Sequence, residues 1–235
     1  MFSLFIRRDG LIEPPQIGET DHHCHILCGI DDGPATMEGS VNIAKILLSM
    51  GIKTVTATPH IISDLYPNTP AGIRQSVEEL QNELIEKNLP LKVVAGAEYY
   101  AEQSFLESIE QNALLSFGDE KYVLFECPVE TEPMILESII FQLKSNGYTP
   151  LLAHAERYHF LQRDFKLAAH LKNLGVHFQV NHPSFLLPKT THTGEMARKL
   201  YIKGFVNVLG TDMHRATSAK EIKLAPKRSL FNLFN

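Results

Sequence analysis

The chain has 235 residues, 44% hydrophobic and 21% charged, with no low-complexity tract, so it can bury a real core; this excludes a disordered or fibrous protein. A formal net charge of -5 and the lack of any Lys/Arg-rich run argue against a nucleic-acid binder or a protein held on a membrane surface. Cys24, Cys28 and Cys127 are too few and too scattered for a disulfide framework or a structural zinc ribbon, and fit a reducing cytoplasm.

Residues 1–17 read as an N-terminal extension: a short apolar stretch (Phe2, Leu4, Phe5, Ile6) precedes Arg7 and Arg8, the reverse of a signal peptide, and offers at most weak contact with a partner or membrane. No later stretch is long enough for a transmembrane helix, so no stable membrane insertion is expected. A faint strand at 18–22 leads into TDHHCHILCGIDDG (20–33), which packs three histidines, two cysteines and three aspartates together. From there short β-branched runs alternate with segments of helical period, the pattern of repeated βα units around a mostly parallel sheet. Further strands are predicted at 53–58, 91–97, 122–126, 149–153, 176–180 and 205–209, and helices at 37–50, 71–87, 133–145, 164–174 and 194–202. Gly51, Gly147, Gly175 and Gly204 stand where helices should stop. The longest irregular connection, 60–70 (HIISDLYPNTP), is either a binding loop or a solvated crossover. No Pro-, Gly- or Ser-rich linker divides the chain, and one domain over 1–235 is expected.

Eleven histidines are the compositional oddity, and their placement is informative. His23 and His25 follow the first strand, His60 the second and Glu98 the third; Glu126 ends the fourth, His154 and Asn181 follow the next two, and Asp212 and His214 the last. In a parallel barrel the carboxyl ends of all strands lie at one face, so residues spread over most of the chain converge there. One His or Glu at a strand end is usually a hydrogen-bonded or solvated residue. Recurrence at successive strands changes that weighting, because crowded imidazoles and carboxylates are costly to bury unless they bind cations. Nitrogen and oxygen donors without thiolate suit manganese, iron or zinc, often in a multinuclear site. Two or three such ions can activate water and hold a phosphoryl oxygen. Arg157, three residues after His154, can grip phosphate with a forked guanidinium or instead pair with Glu156; Arg215 is a weaker candidate for the same task.

The ordered set HxH at His23 and His25, IDDG at 30–33, ATPH at 57–60, GAE at 96–98, AHAERY at 153–158 and TDMH at 211–214 resembles the PHP (polymerase and histidinol phosphatase) superfamily. More narrowly it is similar to the manganese-dependent protein-tyrosine phosphatases of bacterial capsule and exopolysaccharide loci. The resemblance implies an α/β fold, a distorted (β/α)7 TIM-like barrel, with three divalent ions at its mouth, manganese first and iron or zinc as alternatives. It implies that His23, His25, Glu98 and Asp212 bind one ion, that Glu98, Glu126 and His154 bind a second with Glu98 bridging, and that Asp32, His60 and His214 bind a third. Arg157 would hold the phosphate, with Arg215 as its partner, while a metal-bound hydroxide attacks phosphorus and the tyrosine leaves. The implied substrate is a phosphotyrosine protein, a bacterial tyrosine kinase controlling polysaccharide export; oligomeric state is left open. Departures from the family pattern are Cys24 for serine, Cys28 for proline and Ala155 for the proline of AHPERY, none of which removes a ligand. No CxxxxxR loop is present, which speaks against thiolate catalysis. The competing expectations are a small-molecule phosphatase of the histidinol-phosphatase type and a metal-binding module without catalysis; a nuclease is disfavoured by the acidic charge.

Overall fold

The computed structural model of the chain describes residues 14–216 apart from residues 131 and 133. Phe2, Leu4, Phe5 and Ile6, and the tail after residue 216, therefore lie outside the described residues.

Strands and helices alternate along the chain. The strands are β1 (Thr20–Cys24), β2 (Thr54–Ala57), β3 (His60–Ile61), β4 (Lys92–Ala95), β5 (Glu98–Tyr100), β6 (Tyr122–Glu126), β7 (Thr149–Leu152), β8 (His177–Asn181) and β9 (Val206–Gly210). Between them run the helices α1 (Met37–Ser49), α2 (Pro70–Glu86), α3 (Gln103–Glu110), α4 (Leu136–Ser145), α5 (His159–Arg163), α6 (Phe165–Asn173) and α7 (His192–Ile202). Their starts are written in the sequence: Thr36, Thr69 and Thr191 each accept a hydrogen bond from the backbone N–H three residues on, and Asp164 from that of Lys166. The four glycines expected to stop helices all have positive φ, between 68° and 90°. On α1 the buried Ser40, Ile43, Ala44 and Leu47 fall at i, i+3, i+4 and i+7, the stripe that lays a helix against a sheet.

All paired strands are parallel, in the orders β1-β2-β4 and β3-β5-β6-β7-β8-β9. The two sheets are halves of one array. β2 and β3 lie on one strand path interrupted at Thr58 and Pro59, where proline removes a backbone donor, and β4 and β5 lie on another interrupted at Gly96 and Ala97. Hydrogen bonds from Gly96 N–H to Ala57 O (2.9 Å) and from Glu98 N–H to Pro59 O (3.0 Å) carry the pairing across both breaks. At the far end the chain returns to its beginning: Asp212 N–H donates to His23 O (2.8 Å) and His25 N–H to Met213 O (3.1 Å), with a parallel bridge between Cys24 and Met213. Seven strand positions thus follow one another in a ring.

The main apolar cluster joins the helices to the strands and includes Ile43, Leu47, Leu84, Phe125, Leu143 and Phe178, all essentially inaccessible. A smaller one, formed by Phe117, Tyr122, Leu124, Leu151 and Ala153, lies on the strand faces that also carry Glu126, since residues two apart on a strand share a face.

Several boundaries differ from expectation. The first strand is 20–24 rather than 18–22, so His23 sits within it. Two short helices, α3 and α5, were not expected; eight and five residues hold too few turns for helical period to stand out. The connection after His60 is less irregular than its sequence suggests, because Ile62 and Tyr66 form an antiparallel bridge and Asn68 Nδ2 donates to the carbonyls of Ile30 and His60, both at 2.8 Å. Among the described residues no helix is long and apolar enough to cross a membrane.

Candidate metal centre

Six of the seven strand positions deliver an imidazole or carboxylate to one end of the ring. Glu98, at the start of β5, is at the centre and only 1% exposed. Its Oε2 lies 3.2 Å from His23 Nε2, 3.3 Å from His25 Nε2 and 3.3 Å from His60 Nδ1, while Oε1 lies 3.0 Å from His154 Nε2. Asp212 Oδ1 completes one side, 3.4 Å from His23 Nε2 and 3.6 Å from His25 Nε2. Glu126 completes another, with Oε1 3.1 Å from His60 Nδ1 and Oε2 3.7 Å from His154 Nε2. At the outer rim Asp32 Oδ1 faces His214 Nε2 at 3.3 Å and His60 Nε2 at 3.6 Å.

Donor atoms gather in three groups, each mutually within 4.8 Å: His23, His25 and Asp212; His60, Glu98 and Glu126; and His25, Asp32, His60 and His214. The structure thus brings all nine sequence-predicted ligand candidates into one cluster. The grouping differs in detail from the sets that the resemblance implies: His25 and His60 each face two groups, and His154 joins through Glu98.

The donor set fits divalent metal. Glu98 Oε1 and His60 Nδ1 are buried, and the atoms that stand 3.0 and 3.1 Å from them, His154 Nε2 and Glu126 Oε1, are close enough but not aligned for a hydrogen bond; the Nε2 atoms of His23 and His25 face each other at 3.2 Å. Such an arrangement is costly with protein atoms alone and is resolved by a cation between the donors. The surrounding charges point the same way. Burial drags the His23 imidazole down, but Glu98 and Asp212 more than reverse this and hold it at about 9. His25 is likewise raised, against burial, by hydrogen bonds to Asp31 and Glu98. Burial pushes Glu98 and Asp212 up, yet His23 leads the surrounding groups that bring both carboxyls below their ordinary range. A site that holds carboxylates ionised and crowds imidazoles against them is built for positive charge.

A ring of supporting groups orients these donors. Asp31 sits 2.8 Å from His25 Nδ1 through Oδ2, which also accepts from His60 N–H, while Oδ1 accepts from Gly33 N–H. Asp21, fully buried, accepts from Thr211 N–H, Thr211 Oγ1–H and His23 N–H; burial lifts its carboxyl to about 6 despite these bonds. Asn181 is no ligand candidate here; its Nδ2 donates to Asp212 Oδ2 at 2.8 Å. His154 and Asp212 both have positive φ, 31° and 53°, a strained backbone that costs roughly 1 kcal/mol or more for residues with a side chain.

Arg157 pairs with Asp212 Oδ2 at 2.8 Å, and this contact replaces the alternative pairing with Glu156. Glu156 is buried and instead accepts from Ser184 Oγ–H and Asn181 N–H. Arg157 remains half-exposed at the mouth. Arg215 is exposed, and among the described residues no ion pair joins it to the cluster. The Cys24 thiol points away from the donors to Met213 O, and burial pushes it well above its ordinary value; burial does the same to Cys127. Neither is a ready thiolate.

Residues missed by sequence reasoning are Gln179 and Asp21. Gln179 left a signal, because His177, Gln179 and Asn181 alternate with apolar residues and so share one face of β8.

Comparison with known proteins gives a consistent picture. Residues 19–226 match the family model described as capsular polysaccharide synthesis, CpsB/CapC. The chain is 34% identical to tyrosine-protein phosphatase YwqE of Bacillus subtilis over 164 residues, 70% of this chain and 65% of that protein. That match therefore spans just under two thirds of the relative's length. Identity to tyrosine-protein phosphatase CpsB of Streptococcus pneumoniae is 27%, over 84% of both chains. Among solved structures, one from work on YwqE of Bacillus subtilis and CpsB of Streptococcus pneumoniae, described as metal-dependent tyrosine phosphatases, superposes with a TM-score of 0.78 at 28% identity, covering 90% of this chain and 89% of that one. Histidinol phosphate phosphatase of Lactococcus lactis shares the fold at TM-score 0.53 and 15% identity, covering 89% and 92%.

Proposed function

The chain belongs to the capsular polysaccharide synthesis CpsB/CapC family, and from that premise we propose that it is a metal-dependent tyrosine-protein phosphatase whose protein substrate is a tyrosine kinase controlling polysaccharide export. The observation that carries this reading is Glu98, whose two carboxylate oxygens face four histidines from three different strand positions, as a carboxylate shared between cations does.

In the proposed assignment three divalent ions, manganese first with iron or zinc as alternatives, are held by His23, His25, Glu98 and Asp212, by Glu98, Glu126 and His154, and by Asp32, His60 and His214. When bound, such ions supply Lewis acidity that lowers the pKa of water and neutralises charge on a phosphoryl group. The chain's own residues do the rest. Asp31 and Gln179 hold the His25 and His23 rings by their Nδ1 atoms, which turns each Nε2 toward the cluster. Asp212 anchors the Arg157 guanidinium at the mouth and leaves its other N–H groups free to take two phosphate oxygens in a fork. Arg215 is the proposed second contact. Tyr66, stacked on His60 with ring centroids 5.7 Å apart and planes at 13°, gives the rim an aromatic wall suited to a phenyl ring.

The test is hydrolysis by manganese-loaded protein of phosphotyrosine peptides, phosphoserine peptides, histidinol phosphate and a phosphodiester. Selective release of phosphate from phosphotyrosine is expected. Cleavage of histidinol phosphate without action on phosphotyrosine overturns the substrate assignment, and metal uptake without hydrolysis of any ester overturns the enzyme assignment.

A further inference from the structure

β8 is the one strand position that delivers no imidazole or carboxylate to the cluster, yet its inward polar residue Gln179 is completely buried. Its carboxamide makes three contacts. Oε1 accepts the backbone N–H of His154 at 2.6 Å and faces His23 Nδ1 at 3.0 Å, while Nε2 donates to Asn181 Oδ1 at 2.8 Å. The orientation of this amide is fixed without reference to any histidine, because a backbone N–H can only donate and the atom facing it must be oxygen. It follows that His23 Nδ1 carries a hydrogen and that Nε2 is the nitrogen turned to Glu98 and Asp212. The same oxygen closes on the backbone of His154, where φ is 31° and the left-handed turn needs a partner to hold it. The carboxamide packs closely against β9: a Cβ added at Gly210 would lie 2.9 Å from Gln179 Nε2 and 2.5 Å from His23 Cβ.

We propose that Gln179 is the positioning residue of the metal centre, its single amide oxygen setting both the ring tautomer of His23 and the backbone turn of His154, so that two metal positions served by different strands depend on one side chain. The inference rests on the metal-centre reading above. It predicts a coupled loss: removing the acceptor weakens two metal positions together, where the loss of a ligand weakens its own first.

The variants Gln179→Met, which keeps length and removes the acceptor, and Gln179→Glu, which keeps an acceptor oxygen, test it. Zinc and manganese titrations followed by calorimetry, and the ring ¹⁵N resonances of His23 in the zinc-loaded protein, are the readouts. Wild type is expected to show a protonated Nδ1 and metal-bound Nε2 at His23; Gln179→Met to lose affinity about 10- to 100-fold at two positions at once; and Gln179→Glu to retain the His23 tautomer. Metal uptake by wild type with His23 bound through Nδ1 overturns the inference whether or not either variant folds. So does wild-type affinity in Gln179→Met, or a loss in Gln179→Glu as complete as in Gln179→Met. Wild type that takes up no metal overturns the metal-centre reading itself, a separate result.

Discussion

At the scale of single residues, the cluster trades protons for cations. In the metal-free chain His23 is held at about 9, so it is protonated at neutral pH, and His25 and His60 are also raised. A protonated imidazole must shed its proton to offer that nitrogen to an ion, so affinity is expected to rise with pH. Calorimetry in buffers of different ionisation enthalpy should count roughly one or more protons released per chain at pH 7. The sign for stability follows. A group whose folded pKa exceeds its unfolded value stabilises the fold below the unfolded value and stops doing so as pH climbs through the folded one. The His23 contribution is therefore full below about 6.5 and gone above about 9, and melts in chelator should show stability falling across that window. Protein saturated with metal should not show this fall. Arg157 is a different kind of residue, since its value lies in geometry. Arg157→Lys keeps the charge and loses the fork, so kcat/KM for a phosphotyrosine peptide should drop about 100-fold with metal content unchanged. Asp212→Asn should lower both metal content and activity by more than about 100-fold in a chain whose circular dichroism is unchanged.

At the scale of elements, what could be read from sequence was what repeats. Stopping glycines and apolar stripes located the longer helices, and polar residues at strand ends named eight of the nine ligand candidates, Asp32 coming only from the resemblance carried by IDDG. The first strand was placed two residues early because Asp21 and His23, polar but fully buried, break the apolar pattern that marks a strand. The interruptions at Pro59 and Gly96 were invisible as breaks, since each strand path keeps its direction across them. Gln179 was overlooked because it lies inside a strand, away from the ends where ligands gather, and only the two-residue alternation along β8 betrays it. β9 carries a constraint of the opposite kind, an absence of side chain. Gly210→Ala puts a methyl group against His23 Cβ and Gln179 Nε2, and should cost about 1–3 kcal/mol in denaturant unfolding while weakening metal uptake. An alanine at Gly18, where nothing stands within 4 Å, is the control for backbone strain without crowding, since both its φ of 77° and its open surroundings separate the two effects.

At the scale of the whole molecule, cations held as proposed between donors from six strand positions would bind the folded ring in preference to the unfolded chain. Metal at 100 times its dissociation constant should add about 2.7 kcal/mol for each site filled, seen as a rise in melting temperature that chelator reverses. The closure of the ring bears on synthesis as well. His23 and Asp212 share one donor group, yet the first comes from β1 and the second directly follows β9, joined by the hydrogen bond from Asp212 N–H to His23 O. A nascent chain still tethered to the ribosome with β9 inside the exit tunnel has His23, His25 and Glu98 but lacks Asp212, which shares the donor group of the two histidines. On the proposed function, activity is expected only once translation has passed the last proposed ligands, and a chain truncated before Asp212 is expected to be inert from the start rather than partly active.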